Sequence, residues 1–243
     1  MSLPDIQTLY GVVDATWPAA KLTNNGPFTL RQGEGGGSRV SAATANSAAT
    51  DADVDAAAQA MIAMGQDPLF MIRAGDEALD SQLDAAGYTI MDPVSFYVCA
   101  VDDLCAVLPP KTAFPAWPPL AAQREIWAAG GVGPRRLDVM ARASEPKTAI
   151  LGRTNDCPAG TVFVALDGPI AMLHALEISA DYRRRGLARG LTIGCANWAR
   201  DNGATHLSLI TTQANAAANA LYASLGMTVV GHYHYRIKPE PLT

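Results

Sequence analysis

No run of 18 or more apolar residues occurs anywhere in the 243-residue chain. Nothing in it therefore reads as a transmembrane helix, and no membrane partner is expected. The start, MSLPDIQTLY, has neither a basic leader nor an apolar stretch behind it. It does not read as a secretory signal, so the expected location is cytoplasmic. Cysteine is scarce, and Cys99, Cys105, Cys157 and Cys195 form no CxxC pair. That spacing excludes a disulfide frame or a zinc knuckle, so free thiols and no metal are expected. Charged residues make up only 17% of the chain against 49% hydrophobic, which excludes wholesale disorder. Basic residues are nearly missing from the first part: residues 1–106 hold 4 Lys/Arg against 14 Asp/Glu, a net of −10. Residues 107–243 hold 14 against 9, a net of +5. The formal −5 thus hides a split, as expected of two segments with different partners or of two ordinary solvated surfaces. No basic stripe with interleaved aromatics appears, so nucleic acid is not an expected partner.

The charge boundary falls beside a composition boundary. LPPKTAFPAWPPL (108–120) carries five prolines, which exclude a helix or a central strand and read as a stiff linker. Three segments follow: 1–106, a linker at 107–120, and 121–243. In the first, strands are expected at 28–30, 39–45, 69–73 and 89–100, with helices at 51–64 and 81–86. In the last, helices are expected at 120–129, 187–200 and 216–225. Strands are expected at 148–151, 161–166, 172–178 and 206–210, with a strand pair over 228–237. Both segments end in the order helix, strand, short helix, Gly-aromatic or Gly-Met, strand, a faint internal repeat. The expected class is α/β with a mixed sheet.

The strongest chemical signal is LHALEISADYRRRGLARGL (173–191). A strand runs into a short turn, and Arg183-x-x-Gly186-x-Ala188 then opens a helix. The first N–H groups of a helix lack internal partners, and its dipole is positive there. Gly186 allows close approach, and Arg183, Arg184, Arg185 and Arg189 add attraction for phosphate. The spacing describes a pyrophosphate site, though a solvated helix start shares the pattern. Gln32-x-x-Gly35-x-Gly37 also matches, but the SRVSAAT after it reads as strand rather than helix. Downstream, ATHLSLITTQANAAANALYASLGM (204–227) places Asn215, Ala218, Leu221, Tyr222 and Gly226 at fixed spacing.

Together the two blocks resemble the GCN5-related N-acetyltransferase (GNAT) superfamily over residues 148–237. The resemblance implies a GNAT fold in two tandem GNAT-like units, with only the C-terminal one intact. Residues 1–106 would be the degenerate unit, since TANSAATDAD (44–53) stands where the arginine–glycine loop belongs. Residues 121–243 would be the catalytic domain. It also implies acetyl-coenzyme A as co-substrate and acetyl transfer to a small amine or a peptide or protein amine, by direct attack in a ternary complex. The alternative is a coenzyme A-binding sensor or adaptor without catalysis. A monomer or a homodimer fits either.

The resemblance assigns the cofactor to Leu176 and Ile178 on the strand, Arg183, Arg184, Arg185, Gly186, Leu187, Ala188 and Arg189 in the loop, and Asn215 and Tyr222 downstream. Ile178 N–H would face the developing oxyanion. Tyr222 would be the general acid at the sulfur, or else a core tyrosine. Asn215 equally suits a helix N-cap. Glu177 and His174 compete as general base, against readings as a salt-bridged acid and a satisfied buried histidine. Some family members use no single base.

Overall fold

The structure, a computed structural model, describes residues 2–238. Residue 1 and residues 239–243, the ends of the segments 1–106 and 121–243, lie outside the described residues. In chain order, α1 (Ile6–Thr16) is capped by Asp5, whose carboxylate accepts from Thr8 N–H at 2.8 Å. β1 (Lys21–Asn25), β2 (Phe28–Gln32) and β3 (Thr44–Ala45) form a small antiparallel sheet. α2 (Asp51–Ala63) opens on a capping box in which Thr50 and Asp53 satisfy each other's backbone N–H. Next come β4 (Leu69–Ile72), α3 (Glu77–Ala85), β5 (Thr89–Ala100) and the single turn α4 (Val101–Leu104). β6 (Ala113–Ala116), α5 (Ala121–Ala129) and α6 (Pro134–Arg142) lead into the long strands β7 (Lys147–Thr154), β8 (Cys157–Asp167) and β9 (Ile170–Ile178). The chain ends with α7 (Leu187–Asp201), β10 (His206–Thr212), α8 (Ala216–Ser224) and β11 (Thr228–Ile237).

Three local expectations change. Residues 39–45 make a 3-10 turn at Ser38–Val40 and only the two-residue β3, so no helix follows the second arginine–glycine-like motif. Residues 228–237 form one strand rather than a pair. The proline-rich stretch contains β6, with Pro115 opposite Ile150 of β7. β6 ends the strand order, and an edge strand tolerates a residue without an N–H.

The chain divides into two compact units, composed differently from the segments 1–106, 107–120 and 121–243. Unit one takes residues 1–18, 96–210 and 216–230, and unit two takes 19–95, 211–215 and 231–243. The residue groups differ because β5 and β11 each pass from one unit into the other along their length.

In unit one the strand order is β5, β10, β9, β8, β7, β6. β10 lies parallel to β9 while β9, β8, β7 and β6 are antiparallel, so the sheet is mixed. α7 covers one face of β7–β9, and α1 and α5 cover the other, against β8 and β9. Val162, Val164, Leu173, Leu191, Cys195 and Leu207 fill the α7 side. Burial on both faces explains the near-continuous apolar runs of these strands.

In unit two β4 pairs with the later part of β11 (His234 opposite Ile72), and β5 lies on the other side of β11. Phe28, Met61, Phe70, Leu83 and Tyr88 form its core. Arg236 ties α3 to β11, donating to Asp80 at 2.7 Å, Asp84 at 2.6 Å and Tyr88 O at 3.0 Å. Burial alone would push the Asp80 carboxyl up, but the bonds from Arg236 and His234 outweigh it and hold it below the usual carboxylate range. The order α2–β4–α3–β5 recurs as α7–β10–α8–β11, the repeat that the sequence shows.

Candidate active site

The site starts from an interruption in β9. Phe163 of β8 faces His174, while Thr161, two residues earlier, faces Glu177, three residues later. The extra residue is a bulge, and Ala175 has φ +49°, the left-handed region that an alanine rarely takes. Trp127 of α5 fastens it, its indole N–H donating to Ala175 O at 2.7 Å. The bulge reverses side-chain parity, so His174 and Glu177 point to the same face of the sheet. The parallel pairing of β9 with β10 runs from Ile170–His206 to Leu173–Leu209, although β9 continues to Ile178.

That continuation leaves backbone groups directed away from β8. Ser179 N–H donates to Ala159 O at 2.9 Å, which makes that pair hydrogen-bonded. In an antiparallel ladder the next pair, Gly160 and Ile178, then turns its polar groups outward. Ile178 thus presents its N–H, and Leu176, two residues earlier, its N–H and C=O, along the opened edge of β9. Leu176 also packs on the α7-side core, and Ile178 is buried in it.

The loop after β9 follows the expected order. A 3-10 turn at Ala180–Tyr182 precedes Arg183, Arg184 has φ +61°, and Gly186 sits at φ +80° as the residue before α7. No side chain caps α7, so its first N–H groups are available to an anion. Arg184, Arg185, Gly186 and Arg189 are exposed around this terminus. Arg185 stacks over Tyr182, 5.4 Å from the ring centre. Leu187 is buried against the β7–β8 hairpin, where a Cβ on Gly152 would meet its Cδ1 at 3.1 Å. Ala188 is half-buried on the same helix. Arg183 turns back onto β9 instead, donating to Ile178 O at 3.0 Å and Glu177 Oε1 at 3.1 Å.

Tyr222 is the one buried side chain of α8, with its ring 5.6 Å from that of Tyr97 on β5. Burial, and secondarily the nearby Cys195 thiol, push its hydroxyl well above the ordinary tyrosine range. It therefore stays protonated at neutral pH. Asn215 is exposed, its N–H donating to Thr212 O at 3.1 Å. His174 is 4% exposed and packs on Trp17 with ring centres 4.9 Å apart. Thr16 Oγ1 donates its proton to Val12 O at 2.6 Å, so it accepts from His174 Nε2–H at 2.9 Å. That bond fixes the proton on Nε2, the satisfied buried histidine of the plainer reading. Glu177 reaches over Gly130 at the end of α5 and is 20% exposed.

Sequence reasoning overlooks Tyr97, Trp127 and Gln123. Tyr97 lies in the first segment, yet its hydroxyl donates to Asn219 of α8 at 3.0 Å. Gln123 of α5 is fully buried and donates to Thr161 Oγ1 at 3.2 Å, beside Glu177 in register. Nothing in their sequence surroundings marks them, because each contact is distant in the chain. The four cysteines are free thiols: Cys99 and Cys195 are buried, Cys105 half-buried and Cys157 exposed. No helix among the described residues is long and apolar enough to cross a membrane.

A mixed sheet that opens at its middle strand, beside an uncapped helix start ringed with arginine, has the architecture of a GNAT fold. The model of the Acetyltransferase (GNAT) family matches residues 112–227, so that stretch of the chain is a GNAT domain. The uncharacterized N-acetyltransferase YobR of Bacillus subtilis (strain 168) is 33% identical over 79 residues, 32% of this chain and 31% of that protein. The match thus spans about a third of that relative's length. A solved GCN5-related N-acetyltransferase from Kribbella flavida is similar over 99% of this chain and 98% of its own, with TM-score 0.71 at 18% identity. A tandem GNAT protein from the clavulanic acid biosynthesis pathway is similar over 89% and 79%, with TM-score 0.57 at 13% identity. These structures show the GNAT fold over nearly the whole chain, and the arginine–glycine loop lies in unit one.

Proposed function

We propose that the chain transfers an acetyl group from acetyl-coenzyme A to an amine, by direct attack within a ternary complex. The observation that carries this reading is the meeting of two features on β9 and α7. The opened edge ends at Ile178, and the uncapped helix start follows nine residues later. The residues present fit the group: an anion meets the α7 N–H groups and exposed guanidinium groups, and an extended arm meets the backbone of Leu176 and Ile178 as an added strand would. Arg184, Arg185, Gly186, Leu187, Ala188 and Arg189 would hold the pyrophosphate. Asn215 is assigned to the cofactor by its motif position.

When bound, acetyl-coenzyme A supplies an activated thioester. The chain's own groups then do three things. Ile178 N–H, free of the β8 ladder, donates to the carbonyl oxygen as charge develops there. Glu177 accepts a proton from the amine, directly or through one water. Tyr222, held protonated by burial, gives a proton to the departing sulfur. His174 is the weaker candidate for base, since it is 4% exposed and packed between the rings of Trp17 and Phe163. Holding both reactants in one site supplies much of the acceleration.

The test is a panel of small amines and peptides with release of free thiol as readout. Tyr222→Phe is expected to bind acetyl-coenzyme A like the wild type and to lose transfer by roughly 10²-fold or more. Tight binding without thiol release on any amine would replace this reading with a coenzyme A-binding module. An absence of binding would remove both.

A further inference from the structure

The family resemblance assigns Arg183, the first residue of the arginine–glycine motif, to phosphate. Its guanidinium is engaged elsewhere. Nε donates to Ile178 O at 3.0 Å and Nη2 meets Glu177 Oε1 at 3.1 Å, so the planar fork reads a carbonyl and a carboxylate on the strand it has just left. Glu177 is confined from the other side as well. A Cβ on Gly130 would lie 2.5 Å from Glu177 Cδ and 2.6 Å from its Oε2, so the carboxylate lies directly over bare backbone. Arg183 itself is 60% exposed against 20% for Glu177, which makes the pair a weak contributor to stability. Orientation is a different matter: the bond to Ile178 O holds the guanidinium plane in place, and its bond to Glu177 Oε1 then sets where the carboxylate points.

We propose that Arg183 is a positioning residue for Glu177 rather than a phosphate ligand. It ties the cofactor loop to the base: the backbone that delivers Gly186 to the start of α7 also carries the guanidinium that aims the carboxylate. The proposal rests on the acetyltransferase reading of the site. Arg184, Arg185 and Arg189 remain as the loop's phosphate-facing cations.

The experiment compares Arg183→Met and Arg183→Lys with Arg185→Met and Arg189→Met. It measures the acetyl-coenzyme A Kd by calorimetry, and kcat and KM with an accepted amine. Arg183→Met is expected to lower kcat by about ten-fold, through misorientation of the base, and to shift Kd by less than about two-fold. Arg183→Lys should recover part of kcat, since it keeps the charge but loses the fork. Arg185→Met and Arg189→Met should instead raise Kd more than they lower kcat. In the double variant Glu177→Gln/Arg183→Met, the second change should add little to the first. The proposal is overturned if Arg183→Met weakens cofactor binding as much as Arg189→Met, or if the two losses in the double variant multiply. Wild-type protein that turns over no amine would sink the transferase reading instead. The Kd of Arg183→Met would still decide whether Arg183 is a phosphate ligand.

Discussion

Replacing Gly130 by alanine moves the Glu177 carboxylate without altering its chemistry. Gly130 ends α5 at φ −88° and ψ 7°, a conformation alanine adopts freely. The added Cβ would lie 2.5 Å from Glu177 Cγ and Cδ. Carbon atoms in ordinary contact stay ~3.5–4.0 Å apart, so the carboxyl end must retreat by about 1 Å. The obstacle is a flexible side chain, so the fold absorbs it. Removing glycine gains about 0.4–1 kcal/mol through the unfolded chain, and loosening a half-exposed ion pair costs about 0–1 kcal/mol. The melting temperature should therefore stay within a few degrees of wild type. Turnover should not, because a displacement of about 1 Å at a catalytic group costs on the order of 10²-fold. The assay pairs a thermal melt with steady-state thiol release, run beside Glu177→Gln. Full turnover by Gly130→Ala alongside an impaired Glu177→Gln would refute the claim that placement over Gly130 matters. A collapsed melting temperature would refute the claim that only a soft side chain stands in the way.

Gly186→Ala should lower stability by about 1–2 kcal/mol, because φ +80° is left-handed, and should reduce the melting shift produced by acetyl-coenzyme A. An unreduced shift would remove the α7 terminus from the cofactor site. Alkali should weaken unit one. Burial pushes the Cys99 thiol up to about 12 and raises Cys195 and Tyr222 above their ordinary values. A raised value in the fold means that the protonated form is the stabilised one. Its contribution is full below the ordinary value and is lost as pH climbs toward the folded one. The melting temperature should be flat to about pH 8.5 and fall beyond it, with a shallower fall in Cys195→Ala. A melting temperature that holds through pH 10 would contradict this burial.

What the sequence reveals is what local chemistry punctuates. α2 lies between a capping box at Thr50 and Gly65, and α7 between Gly186 and Gly203, so both were legible within a residue or two. The arginine–glycine loop was legible because a helix start needs few neighbours to define it. The bulge at Ala175 was not: alternation along LHALEI puts His174 and Glu177 on opposite faces. The left-handed alanine that reunites them is held by an indole 48 positions away. β6 was hidden for the same kind of reason. Its prolines describe stiffness, and only the presence of β7 alongside turns a stiff segment into an edge strand. Arg183 shows the limit of a motif. The pattern marks a cation before a glycine, and the strand behind it decides which anion that cation meets.

The thiols of this chain are sorted by position. Cys99, Cys105 and Cys195 are wholly or partly withdrawn and raised above the ordinary thiol range, which leaves them slow to react at neutral pH. Cys157 alone of the four stands exposed, at the start of β8, beside Tyr182, whose ring lies under Arg185. A maleimide dye would therefore attach at one place without any mutagenesis, beside the loop proposed to receive the cofactor. Its fluorescence would report that loop's occupancy in real time, even before an acceptor is known.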